Sequence, residues 1–486
     1  MPLFGVYIGE DKKEDLSMKK TISALLVICM FSMMLILASC SAAVPNNGGS
    51  WMGSDGGYGG GLFGGGSSAD KGGSSGGDYS PLPPSDDGSA EGGMPEGDDT
   101  IVDGDLPADS EGEDTKPVEP NVVLPAGMIT AGAWNDNDYY QAWLDLFNQG
   151  ESENGKFYNY TNPKYSWGFT SLNRVKVCVK SGENAVAGAT VVASDEQGNS
   201  LFSSVTDAAG NAYLFTDADN GQVTVTSGDE SATANFSSTE REFEIDLASS
   251  GTKLNVIEIM LVVDVTGSMG DEISFLKAEL ADVINRIAAN DSETVIKLAM
   301  LFYRDTDDKV PFDYYDFTDV TTDVGLAKQQ DALDKQKATG GGDYPEAVDE
   351  ALDIAVNKQW STGSTTKIIF QVLDAPAHEG DEYANKLVNA TKIAAEKGIR
   401  ICPIICSGAE GSTEYTMREA AVYTGGTFIF VTDDSGIGGS HHDPGLPNVT
   451  VELLNSLMVR LVKGYHTGNF EDPIYWKQDP GLATNK

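Results

Sequence analysis

The chain has 486 residues, a formal net charge of −42 and five cysteines. A prior of roughly one domain per 150 residues predicts two or three domains, and so acidic a surface disfavours nucleic acid as a partner because it repels phosphate backbones. The three cysteines beyond residue 40 are odd in number and lack metal-ligand spacing, so no disulfide framework is expected.

The first 40 residues have the pattern of a secretory signal. A basic start at Met18 to Lys20 precedes an apolar run from Ile22 to Leu37, and small residues precede Cys40. A cut before a cysteine resembles the bacterial lipoprotein signal, which implies that Cys40 carries the lipid. The alternative is a transmembrane helix, because the apolar run is long. Either interpretation places the rest of the chain in the cell envelope, membrane-tethered outside the cytoplasm, with Met18 as the true start.

Residues 41–121 are rich in Gly, Ser, Asp and Pro and carry few large apolar side chains. Such a composition cannot bury enough surface to offset chain entropy, so a disordered, flexible acidic linker is predicted. As a random coil of about 80 residues it spans on the order of 50 Å root-mean-square. The linker is therefore expected to hold the folded part away from the membrane.

Residues 122–172 form an aromatic-rich connecting segment, in which Trp134 to Phe147 is predicted to be a short amphipathic helix packed on a neighbouring domain. Period-two alternation with closely spaced turns then predicts a small all-β sandwich over residues 173–249. The run from Ala185 to Phe215 resembles carboxypeptidase-regulatory-like domains. That resemblance implies a structural spacer or a second binding surface.

Residues 254–466 alternate strand-like and helix-like segments, and residues 467–486 form a C-terminal tail. The alternation predicts an α/β fold with a doubly wound, mostly parallel sheet, in which ligands bind at the carboxyl ends of the strands. The predicted strands are Val256 to Val263, Ile296 to Tyr303, Lys367 to Leu373, Ile399 to Cys406 and Phe428 to Val431. The predicted helices are Ile273 to Ile287, Pro345 to Lys358 and Tyr383 to Lys397.

The loop after the first of these strands carries one carboxylate and two hydroxyl groups, on Asp264, Thr266 and Ser268. Hard cations such as Mg²⁺ prefer oxygen ligands of these kinds. The alternative is structural, because Ser268 or Asp271 could cap the helix that follows.

The spacing Asp264-x-Thr266-x-Ser268 resembles the metal-ion-dependent adhesion site of the von Willebrand factor A family. The loop before the second predicted helix has the Asp-x-Pro-Glu form of integrin β subunits, which implies that Glu346 approaches the metal, with Asp343 as the competing candidate. The resemblance implies two further sets of ligands. The third strand ends in the family's last ligand, here Asp374, and Asp271 and Glu272 lie where integrin β domains place carboxylates for an adjacent second metal.

Three further groups of residues near the predicted site have structural alternatives. Asp271 and Glu272 are also favourable as acidic residues in the first turn of a helix. His378 could line the site, although a lone histidine there is more often a hydrogen-bonded loop residue. His441 and His442 near Asp443 could form a metal cluster, but they are expected to be solvated, because they lie in a glycine-rich loop.

The resemblance implies a binding protein rather than an enzyme. One divalent cation, Mg²⁺ before Mn²⁺ or Ca²⁺, would keep an open position for an Asp or Glu of a protein partner, and no small-molecule substrate is expected. One alternative is a scaffold of an envelope complex in which the metal only stabilises the fold. A metal-dependent hydrolase is less favoured, because the sequence has no phosphate-binding lysine loop, no Gly-x-Ser-x-Gly and no His-Glu-x-x-His.

Overall fold

The computed structural model describes residues 125–150, 153–248, 253–289, 294–342, 344–363, 365–437 and 439–482. The predicted signal, the lipidation site Cys40, the linker and Asp343 lie outside these residues. Within the described ranges, no helix combines the length and apolar character needed to cross a membrane.

The described residues form sixteen strands and seven helices. The strands are β1 (Thr130–Trp134), β2 (Arg174–Ser181), β3 (Asn184–Ala185), β4 (Thr190–Ser194), β5 (Ser200–Val205), β6 (Asn211–Phe215), β7 (Gly221–Ser227), β8 (Glu230–Phe236), β9 (Glu242–Asp246), β10 (Val256–Asp264), β11 (Val295–Tyr303), β12 (Phe312–Asp319), β13 (Thr365–Leu373), β14 (Ile399–Ile405), β15 (Phe428–Val431) and β16 (Glu452–Leu453). The helices are α1 (Tyr140–Asp145), α2 (Ile273–Ala288), α3 (Asp323–Asp334), α4 (Val348–Val356), α5 (Asp381–Glu396), α6 (Gly411–Thr424) and α7 (Leu454–Thr467).

Eight strands form the main sheet, in the order β12-β11-β10-β13-β14-β15-β1-β16. Five neighbouring strands are parallel: β11, β10, β13, β14 and β15. Strands β12, β1 and β16 are antiparallel to their neighbours. Helices α2, α3 and α7 pack on one face, and α4, α5 and α6 pack on the other. The predicted α/β fold with a mostly parallel sheet is confirmed. Strands covered on both faces explain the nearly continuous apolar run of β10.

The segment before the β unit departs from its prediction. Thr130–Trp134 is a strand that inserts between β15 and β16, so the predicted helix from Trp134 to Phe147 is wrong in its first part, and only Tyr140–Asp145 is helical. Pairing with residues some 300 positions later takes Trp134 into the sheet, because it satisfies the backbone hydrogen bonds of β1, and residues 135–139 form the turn that leads to the helix.

Residues 174–246 form two four-stranded sheets, which we call the β unit. One sheet contains β3, β2, β6 and β9, and the other contains β5, β4, β7 and β8. Val175, Val177 and Val179 are buried on one face of β2, as their alternation predicted. The core of the β unit is continuous with the α4–α6 layer, where the Phe215 and Tyr423 rings stack 4.8 Å apart. Its relationship to carboxypeptidase-regulatory-like domains stays a prediction.

A buried ion-pair network attaches the segment after β1 to α6. The guanidinium of Arg418 donates to the carboxylates of Asp136 and Glu414 over distances of 2.5 to 2.9 Å. Glu414 also pairs with Lys156 and contacts His442. His442 is thus held by a carboxylate, against the expectation that it is solvated.

Candidate metal site

Two carboxylates meet where the strand order of the main sheet reverses. Asp264 is the last residue of β10, and Asp374 directly follows β13, the parallel neighbour of β10. The chain continues from β10 to β11 on one side and from β13 to β14 on the other. In open α/β sheets, ligands bind outside the carboxyl ends of the strands at such a reversal.

The loop after β10 arranges its hydroxyl groups around Asp264. Thr266 donates to Asp264 Oδ1 through its backbone N–H (2.8 Å) and its hydroxyl (2.7 Å), and the Thr266 and Ser268 hydroxyl oxygens lie 3.0 Å apart. A 3₁₀ turn at Gly267–Asp271 leads into α2, whose N-cap position is Glu272, so Ser268 does not cap that helix. Its hydroxyl therefore belongs to the loop.

The second loop reaches the same place through Glu346. The Glu346 N–H donates to the carbonyl of Pro376 (3.0 Å), which joins this loop to the segment after β13. Gly341 adopts φ +71°, and a Cβ atom there would lie 2.7 Å from Glu346 Oε1 and 3.2 Å from Thr266 Cβ. The structure therefore brings the three predicted loops together, and only a glycine at position 341 fits between them without displacing a neighbour.

Burial raises the pKa of all three carboxyl groups, and neighbouring negative charge adds to each rise. Burial, followed by the charge of Asp374, raises the pKa of Asp264 to about 7. Burial raises the pKa of Asp374 to about 6, against a hydrogen bond from Ser268. Burial, followed by the charge of Asp264, raises the pKa of Glu346 to about 9. A neighbouring cation would oppose these shifts, because it favours the charged form of a carboxyl group.

Four oxygen atoms at this place are buried with no hydrogen-bond partner: Asp264 Oδ2, Glu346 Oε2, Asp374 Oδ1 and the Tyr303 hydroxyl. A buried polar atom without a partner is costly, and a bound ion or water can satisfy it. Sequence reasoning missed Tyr303. The sequence feature that could have identified Tyr303 is its position at the end of β11, where it pairs in register with Asp264.

No group of three or more His, Cys, Asp or Glu side chains in the described part of the chain is arranged to hold a metal ion. Asp264, Glu346 and Asp374 therefore do not make an all-carboxylate site. The predicted ligand set is not made of carboxylates alone, because Thr266 and Ser268 contribute hydroxyl groups. Hard cations combine such oxygens with water. With three orphaned carboxylate oxygens beside two hydroxyl groups, the residues present fit a mixed site.

Glu272, predicted with Asp271 to hold a second metal, has its Oε2 buried without a hydrogen-bond partner and is engaged by other groups through its second oxygen. Its Oε1 accepts the Ser407 N–H (3.0 Å) and lies 2.9 Å from His441 Nε2. His441 Nδ1 lies 2.7 Å from Asp433 Oδ1, and only 3% of the His441 side chain is exposed. The expectation that His441 is solvated is therefore wrong, because two carboxylates hold it in place. The side chain of Asp271 lies outside the described part.

The loop after β11 supplies two carboxylates that sequence reasoning missed. Asp308 Oδ2 accepts the Gly341 N–H (2.8 Å), and Asp305 Oδ1 lies 2.8 Å from His378 Nε2. His378 is thus a hydrogen-bonded loop residue. The charges of Asp305 and Asp308 also contribute to the raised pKa of Glu346. Both residues follow a strand end, which was the signal available in the sequence.

A family model described as the von Willebrand factor A domain matches residues 258–433. The matched range begins within β10 and ends just after β15, so it contains the loops of Asp264, Asp305, Glu346 and Asp374 but not His441. The β unit and β1 lie outside it.

A curated relative, an ariadne-like RING finger protein of Acanthamoeba polyphaga mimivirus, is 27% identical over 224 residues, which is 42% of this chain. The chain spans 20% of the length of that relative. Among solved structures, the conserved hypothetical protein BatB from Bacteroides thetaiotaomicron is 16% identical over 36% of this chain and 89% of its own, with a TM-score of 0.27. The pilus adhesin SpaC from Lactobacillus rhamnosus GG, in its open conformation, is 11% identical over 51% of this chain and 32% of its own, with a TM-score of 0.32.

Proposed function

We propose that this protein, whose residues 258–433 match the von Willebrand factor A family model, binds a protein partner through one divalent cation at the carboxyl ends of β10 and β13. The observation that carries the proposal is the set of buried, unpartnered carboxylate oxygens on Asp264, Glu346 and Asp374. Three such atoms around one point of the sheet are unfavourable unless a positive charge or ordered water satisfies them.

Each residue of the set has its own part in the proposal. Asp264 and Asp374 supply negative charge, Thr266 and Ser268 orient the ion or its waters, and Glu346 approaches directly or through water. Mg²⁺ is the first choice among cations, because all of these ligands are hard oxygens. When bound with few anionic ligands, a dication attracts one further anionic oxygen, which an Asp or Glu of the partner supplies.

The rim of the site offers an aromatic contact for such a partner. Tyr344 is 41% exposed, and its hydroxyl lies 3.3 Å from the Gly408 carbonyl oxygen and 3.5 Å from that of Asp374. Exposed tyrosines contribute strongly to protein interfaces, because a rigid ring buries much area at small entropic cost. We therefore include Tyr344 in the proposed binding surface, without a role in holding the ion.

The proposal is tested by titrating Mn²⁺ into the full chain in detergent while water-proton relaxation is measured. A bound Mn²⁺ that keeps an exchangeable water enhances relaxation, and acetate, used as a probe for a partner carboxylate, should reduce that enhancement by displacing the water. Thr266→Val should weaken Mn²⁺ binding, whereas Thr239→Val, an exposed threonine of the β unit, should leave it unchanged.

Two outcomes separate this proposal from its alternatives. Mn²⁺ that binds and raises the melting temperature, but shows no exchangeable water and no response to acetate, would support a purely structural metal in a scaffold. We also propose that the protein is not an enzyme. Turnover of an ester or phosphate substrate would contradict this.

We also propose that the protein is tethered to the cell envelope through a lipid on Cys40, facing away from the cytoplasm. The basis is the sequence pattern before Cys40, since this part of the chain lies outside the described residues. Expression of wild type and Cys40→Ser, followed by detergent phase partitioning, tests it. Wild type should enter the detergent phase and Cys40→Ser the aqueous phase, and detergent partitioning of both would instead indicate an uncleaved apolar helix.

A further inference from the structure

A second candidate site lies at the opposite end of the main sheet. A cleft of about 580 Å³ opens at the amino ends of β13 and β14, between the segment after α4, the end of α5 and the β unit. One wall comes from the β unit at Gly188, Thr190 and Val205 to Ala208. The cleft is therefore far along the strands from Asp264 and Asp374, which lie at their carboxyl ends.

The lining of this cleft is cationic although the whole chain carries a net charge of −42. The charged side chains that line it are the cations Lys358, Lys367, Lys397 and Arg400 and the carboxylates Asp207 and Glu396. On so acidic a protein, a concentration of positive charge in a concave place is unexpected unless it serves an anion.

The cations at the back of the cleft are held by neutral groups. Lys367 Nζ donates to the carbonyl of Lys397, and Lys397 Nζ donates to the carbonyl of Val356, each over 2.8 Å. Arg400 likewise donates to two backbone carbonyls and is 5% exposed. These hydrogen bonds to neutral carbonyl groups fix the side chains without cancelling their charge, and the charges of Asp207 at Arg400 and of Glu258 at Lys367 offset only part of it, so the cleft is preorganised for an anion.

The two carboxylates of the lining do not replace such an anion. Asp207 Oδ1 accepts the N–H groups of Ala209 and Asn211 (2.9 and 2.8 Å), which commits it to its own turn. Glu396 is exposed at the end of α5. Burial lowers the pKa of Lys367, and the nearby charge of Lys397 adds to the lowering, against Glu258. A bound anion would relieve this repulsion.

We propose that this cleft binds a compact multivalent oxyanion, with Lys367 and Lys397 as its principal contacts and Arg400 as a fixed charge behind them. Because Thr190 and Thr206 of the β unit form part of the same lining, the ligand would touch both the β unit and the main sheet. The inference is independent of the proposed cation site.

Inorganic pyrophosphate is a suitable probe, titrated calorimetrically at low ionic strength into the full chain after a chelator has stripped divalent cations and has itself been dialysed away. We expect one saturable site. Lys367→Gln/Lys397→Gln should weaken binding by about tenfold or more, because two charge-assisted contacts are lost. Lys392→Gln, which removes an exposed lysine of α5 outside the cleft, is the matched control and should not change the affinity.

The absence of saturable binding by wild type, or equal affinity in the double variant, would overturn the proposal. Circular dichroism and a thermal melt establish that the double variant is folded. A second measurement needs no variant: affinity of the wild type should fall as salt is added, and a salt-independent affinity would contradict a site made by charge. Asp264→Ala should leave pyrophosphate binding intact, so failure here and failure of the cation site are distinguishable.

Discussion

Gly341 lies so close to Glu346 that a Cβ atom at residue 341 would stand 2.7 Å from Glu346 Oε1. Its φ of +71° is also one that side chains other than glycine rarely adopt. Gly341→Ala should therefore displace Glu346 and destabilise the fold by about 1–3 kcal/mol. We expect Mg²⁺ affinity to fall by about tenfold, which corresponds to about 1.4 kcal/mol, measured by calorimetry beside urea unfolding.

The neighbouring residue provides the control. A Cβ at Gly342 would meet nothing within 4 Å, so Gly342→Ala should keep wild-type affinity and stability to within about 0.5 kcal/mol. Equal losses in the two variants would mean that general loop stiffening, rather than the approach to Glu346, sets the affinity.

Glu279 of α2 forms hydrogen bonds with the backbone just before β1. Its carboxylate accepts the N–H groups of Gly127, Met128 and Ile129 at 2.9, 2.7 and 3.0 Å. Glu279→Ala should cost about 2–3 kcal/mol, since it leaves buried N–H groups without a partner. Hydrogen exchange should accelerate at residues 127–129. Faster exchange spread evenly over the main sheet would contradict a local role.

The buried Arg418 pairs with Asp136 at 2.5 Å and with Glu414 at 2.9 Å. Arg418→Met leaves Asp136 buried without a cation and Glu414 with only Lys156 and His442 as partners, so unfolding in urea should require about 3–5 kcal/mol less. Arg418→Met/Asp136→Leu should recover part of this loss, because one of the stranded charges is removed. A double variant no more stable than Arg418→Met would show that lost packing, and not the stranded charge, dominates.

Glu419 makes the stability depend on pH. Burial raises its pKa to about 8, against a hydrogen bond from Ser171. The folded state thus holds this proton more tightly than the unfolded state, whose pKa is near 4.5. The contribution of Glu419 to stability is full below about pH 4.5 and is lost as pH rises towards 8, by at most about 1.4 kcal/mol per pH unit.

Urea unfolding of wild type and Glu419→Gln across this pH window measures that contribution. The difference in free energy of unfolding between the two proteins should shift steadily in favour of Glu419→Gln as pH rises. A difference that does not change with pH would mean that Glu419 is charged in the folded protein throughout the window.

The parallel core of the sheet could be predicted from the sequence because β10, β13 and β14 are buried on both faces and are therefore mostly apolar. The same logic located Asp264 and Asp374, since polar residues directly after such runs lie at strand ends. Element boundaries were less exact: the helix predicted from Pro345 begins at Val348, and the one predicted from Tyr383 begins at Asp381.

The missed elements lack a simple periodic signal. β12 is a half-buried edge strand, FDYYDFTD, whose polar residues resemble a loop. From Thr413 to Thr424 every residue of α6 is buried, because the helix lies between the main sheet, the β unit and the segment after β1, so its polar residues do not mark a solvent face. Both elements are defined by neighbours distant in sequence, and no local pattern contains that information.

Calorimetric titration of Mg²⁺ into the metal-stripped full chain, beside Asp264→Ala/Asp374→Ala, tests the cation site most directly. The proposed site predicts saturable binding of about one ion by wild type, and loss of that binding in a variant whose circular dichroism shows it is folded. Absence of binding by wild type, or unchanged binding in the folded double variant, would contradict a cation site at the ends of β10 and β13.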